Sequence, residues 1–206
     1  MFTGITAIVL SGGKGKRLGN VEKAFLQFNG ESLLERKIII LSSLCDELLV
    51  VTNKPQLYSH IKIRVVRDIE AGIGPLMGLY TGLLNSKSEN CFTTASDMPF
   101  FSVELFNFMK ELLTEKNAGY DVVMPRIGEN YEPLFALYSR RCIPHIQRAL
   151  EKKKRRIVSF LPEIKARYIG EEEIRNYDTR MISFSNINTY LDLEATRKLY
   201  KSLICI

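Results

Sequence analysis

The sequence predicts an α/β fold: one three-layer, doubly wound domain built on a mostly parallel, twisted sheet. Three observations carry that prediction. Short continuous apolar runs rich in β-branched residues recur along the chain, as strands buried on both faces require. Segments with apolar residues at helical spacing fall between them, and this alternation marks a parallel sheet covered on both sides. The length, 206 residues, suits one such domain and leaves little room for two.

The elements follow in order. Ile5 to Leu10 (ITAIVL) is a short apolar run and reads as the first buried strand. Leu33 to Leu44 has helical periodicity, Glu47 to Thr52 (ELLVVT) is a second strand and Ile63 to Val66 a third. Pro75 to Leu84 reads as a helix with proline in its first turn, where its missing N–H costs nothing. Cys91 to Thr94 is a strand and Val103 to Leu113 a helix, with Ser102 placed to cap it. Asp121 to Met124 and Pro133 to Leu137 are extended, Ile143 to Leu150 helical, Ala166 to Ile169 a late strand and Tyr190 to Leu203 a closing helix. The last third is less regular and reads as a flap or subdomain. In such a sheet the ligand belongs at the carboxyl ends of the strands.

Composition narrows the class. With 46% hydrophobic and 25% charged residues, the chain has ample material for a core, which excludes wholesale disorder. No apolar stretch has the length of a bilayer span, and Met1-Phe2-Thr3-Gly4 lacks the features of a signal peptide. A cytoplasmic protein is expected. Cys45, Cys91, Cys142 and Cys205 form no CxxC pair, and His60 and His145 have no partner at metal-ligand spacing, which argues against a Cys/His metal centre. The net charge of +6 fits a lysine-rich surface or an anionic ligand, and the placement of the charges must decide. Aromatic and basic residues are not interleaved along any stretch, so nucleic acid is disfavoured.

The placement is informative after the first strand. The segment Leu10-Ser11-Gly12-Gly13-Lys14-Gly15-Lys16-Arg17-Leu18-Gly19, followed by Glu22-Lys23, joins glycines that permit close backbone approach to four cations, Lys14, Lys16, Arg17 and Lys23. A polyanion belongs here. The loop is not a Walker A sequence, and GxGxxG fails because Leu18 stands where the third glycine belongs. No helix follows the glycines directly, as a dinucleotide site needs; the helical pattern resumes only near Leu33. A merely flexible turn would not explain the concentration of cations.

The second constellation is Thr94-Ala95-Ser96-Asp97-Met98-Pro99 at the end of the fourth strand. It puts a hard oxygen ligand, Asp97, on the ligand-facing rim of the sheet, which suits Mg²⁺ bridging to substrate phosphates. The bland alternative, Asp97 as a helix cap, is weakened by the better-placed Ser102.

Together LSGGKGKRLG…EK, Gly74-Pro75-Leu76-Met77-Gly78-Leu79, Ser96-Asp97-Met98-Pro99, Glu132-Pro133-Leu134-Phe135-Ala136-Leu137-Tyr138, Arg155-Arg156-Ile157-Val158-Ser159-Phe160-Leu161 and Phe184-Ser185-Asn186-Ile187-Asn188-Thr189 resemble the molybdenum cofactor guanylyltransferases. These are nucleotidyltransferases with a Rossmann-type, glycosyltransferase-A-like fold of the nucleotide-diphospho-sugar transferase kind. The resemblance runs from Ile5 to about Leu193. The chain departs from the family pattern at Glu22 (usually Asp), Ser96 (often Cys), Glu132 (often His) and Tyr190-Leu191-Asp192.

The resemblance implies transfer of GMP from GTP to the terminal phosphate of molybdopterin, with Mg²⁺ as cofactor and pyrophosphate as leaving group. It implies that Leu10, Ser11, Gly12, Gly13 and Gly15 surround the nucleotide, that Arg17 and Lys23 bind its phosphates, and that Asn53 and Asp68 read guanine and ribose. Asp97 would hold the metal, and Arg155, Arg156, Asn186 and Asn188 would meet the acceptor. Residues 1–100 would form the nucleotide-binding part and 101–206 the acceptor part of one domain. Transient contact with cofactor-synthesis proteins or apo-molybdoenzymes is implied as well. A related cytidylyl- or sugar-phosphate nucleotidyltransferase, a non-catalytic regulatory binder and a nucleic-acid binder are the rivals.

Overall fold

A computed structural model describes residues 4–12, 22–28, 30–115 and 118–204. The main sheet contains β1 (Ile5–Leu10), β4 (Glu47–Thr52), β5 (Arg64–Arg67), β6 (Asn90–Ala95), β7 (Val122–Ile127), β9 (Phe135–Ser139) and β10 (Ala166–Ile169), ordered β10-β7-β9-β6-β1-β4-β5. A short strand β8 (Asn130–Tyr131) pairs with β7, and β2 (Gln27–Phe28) with β3 (Glu31–Ser32) makes a separate small hairpin. β1 pairs in parallel with β4 and β6, β4 with β5, and β7 with β10.

β9 departs from the parallel expectation. It runs antiparallel between β6 and β7. Its residues Phe135 to Tyr138 are buried on both faces like those of its parallel neighbours, so the sequence pattern carries no sign of strand direction. The third expected strand sits one residue later, at Arg64–Arg67, where it pairs with Leu49–Thr52 of β4 at the edge of the sheet.

Alternation along the strands divides the core into two layers. Ile5, Ala7 and Val9 face one cluster with Leu34 and Leu41 of α1 (Leu33–Leu44) and with Leu105, Phe106 and Met109 of α3 (Val103–Thr114). Ile8, Leu49 and Val51 face the other, with Leu76, Leu79 and Leu83 of α2 (Pro75–Asn85) and Ile146 of α4 (Ile143–Glu151). At roughly 2 kcal/mol per buried aliphatic side chain, these two layers dominate the driving force for folding. Two further helices, α5 (Glu171–Arg175) and α6 (Tyr190–Ile204), lie in the late region. No helix among the described residues is long and apolar enough to cross a membrane.

Helix ends follow local chemistry. Ser32 and Glu35 form a reciprocal capping box on α1, the Ser32 hydroxyl accepting from Glu35 N–H at 3.2 Å and the Glu35 carboxylate accepting from Ser32 N–H at 2.7 Å. Ser102 caps α3 by accepting from Leu105 N–H at 3.1 Å, which leaves Asp97 free of that duty. Gly74 precedes α2 with φ of 114°, a backbone state that suits glycine, and Pro75 takes the first helical turn.

Candidate active site

The chain reverses its winding at β1, whose neighbours β4 and β6 lead in opposite directions across the sheet. A cleft is expected beyond the carboxyl ends of the strands at such a point, and one of about 520 Å³ opens there. Backbone bonds continue past the strands and fix its floor. Ser11 N–H donates to Val51 O at 2.8 Å, Ser96 N–H to Leu10 O at 3.0 Å and Asp68 N–H to Thr52 O at 3.3 Å.

Leu10, Ser11, Gly12, Lys23, Asn53, Asp68 and Asp97, seven of the residues singled out in the sequence, all line this cleft. Gly13, Gly15 and Arg17 lie outside the described residues. Lys23 opens a short 3₁₀ turn to Phe25, anchored by the buried Ala24 and by Phe25 packing on Tyr58 at 5.0 Å between ring centroids. Its ammonium donates to Asp97 Oδ2 at 2.8 Å and to Asn188 Oδ1 at 2.7 Å. Ile187 N–H donates to the Asp97 carbonyl at 3.0 Å, so the late chain segment returns to the rim of the first half. Asp192 holds that return by accepting from the N–H groups of Asn188 and Thr189 at 2.9 and 2.8 Å; these bonds lower its pKa.

The opposite wall is polar. Among the described residues, Asn53 Oδ1 and Asp68 Oδ1 are buried without a hydrogen-bond partner, an arrangement that costs on the order of 1–3 kcal/mol each unless a ligand donates to them. Burial raises the Asp68 pKa, while the neighbouring Thr81 hydroxyl and Asn53 amide oppose the rise. Gly78 leaves room beside them: a Cβ there would meet Leu10 Cδ2 at 3.3 Å and Asp68 Oδ1 at 3.6 Å.

A hydrogen-bonded line ties the start of the glycine loop to its surroundings. The Ser11 hydroxyl bonds Tyr58 Oη at 2.7 Å and donates to Ser96 Oγ at 2.8 Å. Ser96 therefore braces Ser11. Glu22 meets Lys54 at 3.0 Å.

The acceptor residues expected from the sequence are dispersed. Arg156 lines an adjoining recess of about 250 Å³, with Tyr131 and Asn130, which shares Pro75 and Leu134 with the main cleft. Arg155 is exposed and engages through its backbone, its carbonyl accepting Leu76 N–H at 3.3 Å. Of the two asparagines only Asn188 reaches Lys23; Asn186 is exposed and its amide turns back to the Phe184 carbonyl at 3.2 Å, as a turn former does. Burial raises the pKa of Glu132, at the mouth of β9.

One residue escaped the sequence reading. Lys37 in α1 is only 5% exposed and donates to Thr94 Oγ1 at 3.1 Å, three residues before Asp97. The signal was present, since Leu33, Leu34, Lys37 and Leu41 occupy one helical stripe and place a lysine among core leucines.

The family model described as the MobA-like NTP transferase domain matches residues 7–166, which span the glycine loop, Asp97 and the main sheet from within β1 to the start of β10. This chain belongs to that family. Similar MobA-like relatives include a probable molybdenum cofactor guanylyltransferase of Methanosarcina mazei, 38% identical over 92% of this chain and 88% of its own length. Another, of Pelotomaculum thermopropionicum with the same description, is 34% identical over 93% of this chain and 91% of its own. Among solved structures, the molybdopterin-guanine dinucleotide biosynthesis protein A of Archaeoglobus fulgidus superposes with a TM-score of 0.82 at 28% identity, covering 96% of this chain and 99% of that one. The MobA-like fold thus accounts for nearly the full length.

Proposed function

We propose that this chain transfers GMP from Mg-GTP to the terminal phosphate of molybdopterin, with or without bound metal, and releases pyrophosphate. The observation that carries the proposal is the division of one cleft into a cation–carboxylate end, Lys23 with Asp97, and an end with two unpartnered oxygens, on Asn53 and Asp68. The naming of the relatives above supports the same donor and acceptor.

The roles follow from the chemistry. Guanine presents N1–H and N2–H₂ donors, which match the free oxygens of Asp68 and Asn53, and it rests against Leu10 and Gly78, which line the same cleft. The ribose and phosphates cross Ser11 and Gly12. Lys23 leaves Asp97 to bind phosphate oxygens, and Arg17, Gly13 and Gly15 serve the same group.

The residues present fit a magnesium ion. The Lys23 ammonium already sits between two oxygens, Asp97 Oδ2 and Asn188 Oδ1, at 2.8 and 2.7 Å, which marks a place for a cation. Asp97, aided by Asn188, would hold Mg²⁺ there, and the ion would neutralise triphosphate charge and orient it. Among the described residues no cluster of three or more His, Cys, Asp or Glu competes for it.

Molybdopterin would lie over the recess at Arg156 and Tyr131, with Arg155 and Asn186 at its edge. Residues 1–100 thus serve the nucleotide and 101–206 the acceptor, apart from Asn188, which returns to the shared centre. An oxygen of the acceptor's phosphate bonds to the α-phosphorus. The bond from that phosphorus to the bridging oxygen breaks, and pyrophosphate departs with the electron pair. The nucleophile is already anionic, so alignment and charge stabilisation suffice without a strong base. We place the reaction in the cytoplasm, where the thiols of Cys45 and Cys91, pushed up to about 12 by burial, stay reduced and inert. Handing the product to an apoenzyme implies a transient protein contact.

Thermal-shift titrations with GTP, CTP, ATP and UTP in Mg²⁺ test the nucleotide. Ligand at 100 times its Kd stabilises by about 2.7 kcal/mol, and only GTP is expected to do so at low concentration. Selective stabilisation by CTP would overturn the guanylyl reading.

A further inference from the structure

Among the described residues, the buried charged side chains are Lys37 and Asp178. Asp178 is satisfied by the N–H groups of Ile182 and Ser183, at 3.2 and 3.0 Å. Lys37 is not comparably served. Its ammonium has three protons to donate; among the described residues its one hydrogen bond goes to the neutral Thr94 hydroxyl, and no carboxylate of these residues lies within salt-bridge distance. An ammonium withdrawn from water in this way is strongly disfavoured unless an opposite charge acts on it.

The charge that acts on it is that of Asp97. Burial draws the Lys37 pKa down to about 8, and the Asp97 carboxylate is what opposes the fall, so Lys37 is still mainly a cation at neutral pH. Thr94 ends in the same strand that delivers Asp97, and its hydroxyl points on to Met98 Sδ at 3.8 Å. Asp97 therefore feels two lysines: Lys23 in contact at 2.8 Å, and Lys37 held inside the protein on Thr94, three residues before it in the chain.

We propose that Lys37 is a positioning residue, a fixed interior cation beneath the phosphate end of the cleft that balances Asp97 in the empty site and attracts the anionic triphosphate in the loaded one. The inference rests on the proposed nucleotidyl-transfer reading of that cleft. When Lys23 swings to the phosphates and Asp97 to the metal, Lys37 cannot follow, because α1 and its leucines hold it. Its field stays in place and needs no rearrangement as charge builds up on the departing pyrophosphate.

A fixed cation makes two opposite contributions, and a merely structural lysine makes neither. Lys37→Met keeps the length and apolar stem and removes the charge; Lys37→Gln keeps a donor for Thr94 without the charge. Both variants are expected to bind Mg-GTP about tenfold more weakly and, without nucleotide, to bind Mn²⁺ several-fold more tightly. Those are the signs for one unit charge acting through a partly buried medium. Calorimetry with GTP and paramagnetic titration with Mn²⁺ at pH 7 read the two effects. Wild-type constants in both variants would overturn the proposal, as would a loss in Lys37→Met that Lys37→Gln restores, since the hydrogen bond would then be the cause. Lys37→Arg serves if neither variant folds: it retains the charge and is expected to keep both constants within about threefold of wild type, and a tenfold change in either would sink the idea. If wild-type protein binds no Mg-GTP at all, the functional reading fails instead, and the two failures are distinguishable.

Discussion

Replacing Lys37 by methionine should make the folded chain more stable near neutral pH. The lysine's pKa falls from 10.5 to about 8 on burial, and each pH unit of difference is about 1.4 kcal/mol, so the buried charge costs the fold about 3 kcal/mol below pH 8. Between pH 8 and 10.5 the unfolded chain binds more protons than the folded one. Stability contributed by this site therefore rises with pH across that window and is flat below it. Methionine has no proton to lose, so its variant starts higher and lacks the rise. Guanidinium denaturation of both proteins at pH 7, 9 and 10.5 reads the difference directly, because titrations elsewhere cancel in the comparison. For a chain of this size the gain corresponds to a Tm higher by about 10 °C at pH 7. A variant less stable than wild type at pH 7, with a parallel pH dependence, would refute the reasoning, since the ammonium would then have to be well solvated or paired. A variant that is more stable yet binds triphosphate less well is the trade between stability and function expected of a strained site.

Asp68→Asn is expected to lose at least tenfold in preference for GTP over ITP, which lacks the 2-amino donor, as measured by competition binding. In the wild type GTP affinity should fall as pH drops through the raised pKa of Asp68, because the protonated carboxyl is a weaker acceptor for guanine's N–H donors than the carboxylate; the asparagine variant should not show this fall. Gly82→Ala should destabilise the fold by about 1–3 kcal/mol in a thermal melt, because its Cβ would stand 2.5 Å from Ile8 Cγ2 and 2.9 Å from Ile8 Cδ1 in the core.

Much of the scaffold was legible because its strands are buried on both faces. Ile5–Leu10, Glu47–Thr52 and Ala166–Ile169 occur with the bounds expected, as does the helix Leu33–Leu44. The direction of Phe135–Ser139 was not legible, because apolar runs record burial and not polarity of the chain. The hairpin at Gln27–Phe28 and Glu31–Ser32 escaped because two-residue strands have no measurable period.

The cleft was read better than its acceptor side. Residues one or two positions past strand ends, such as Ser11, Asn53, Asp68 and Asp97, are placed by the sheet itself. Asn186 and Asn188 lie in an irregular segment, and tertiary contacts, Ile187 on the Asp97 carbonyl and Asp192 on the Asn188 N–H, accompany the inward turn of Asn188. Lys37 was hidden by the usual reading of lysine as a solvated residue, although its place on the leucine stripe of α1 marked it as an exception.

Formation of pyrophosphate from Mg-GTP in the presence of molybdopterin, compared among wild type, Lys23→Met and Asp97→Asn, tests the central claim most directly. Wild-type protein should release pyrophosphate and form the guanine dinucleotide, and each variant should be slower by a factor on the order of 10² or more. Near-normal release by both variants would contradict the assignment of the Lys23–Asp97 pair as the centre of the reaction.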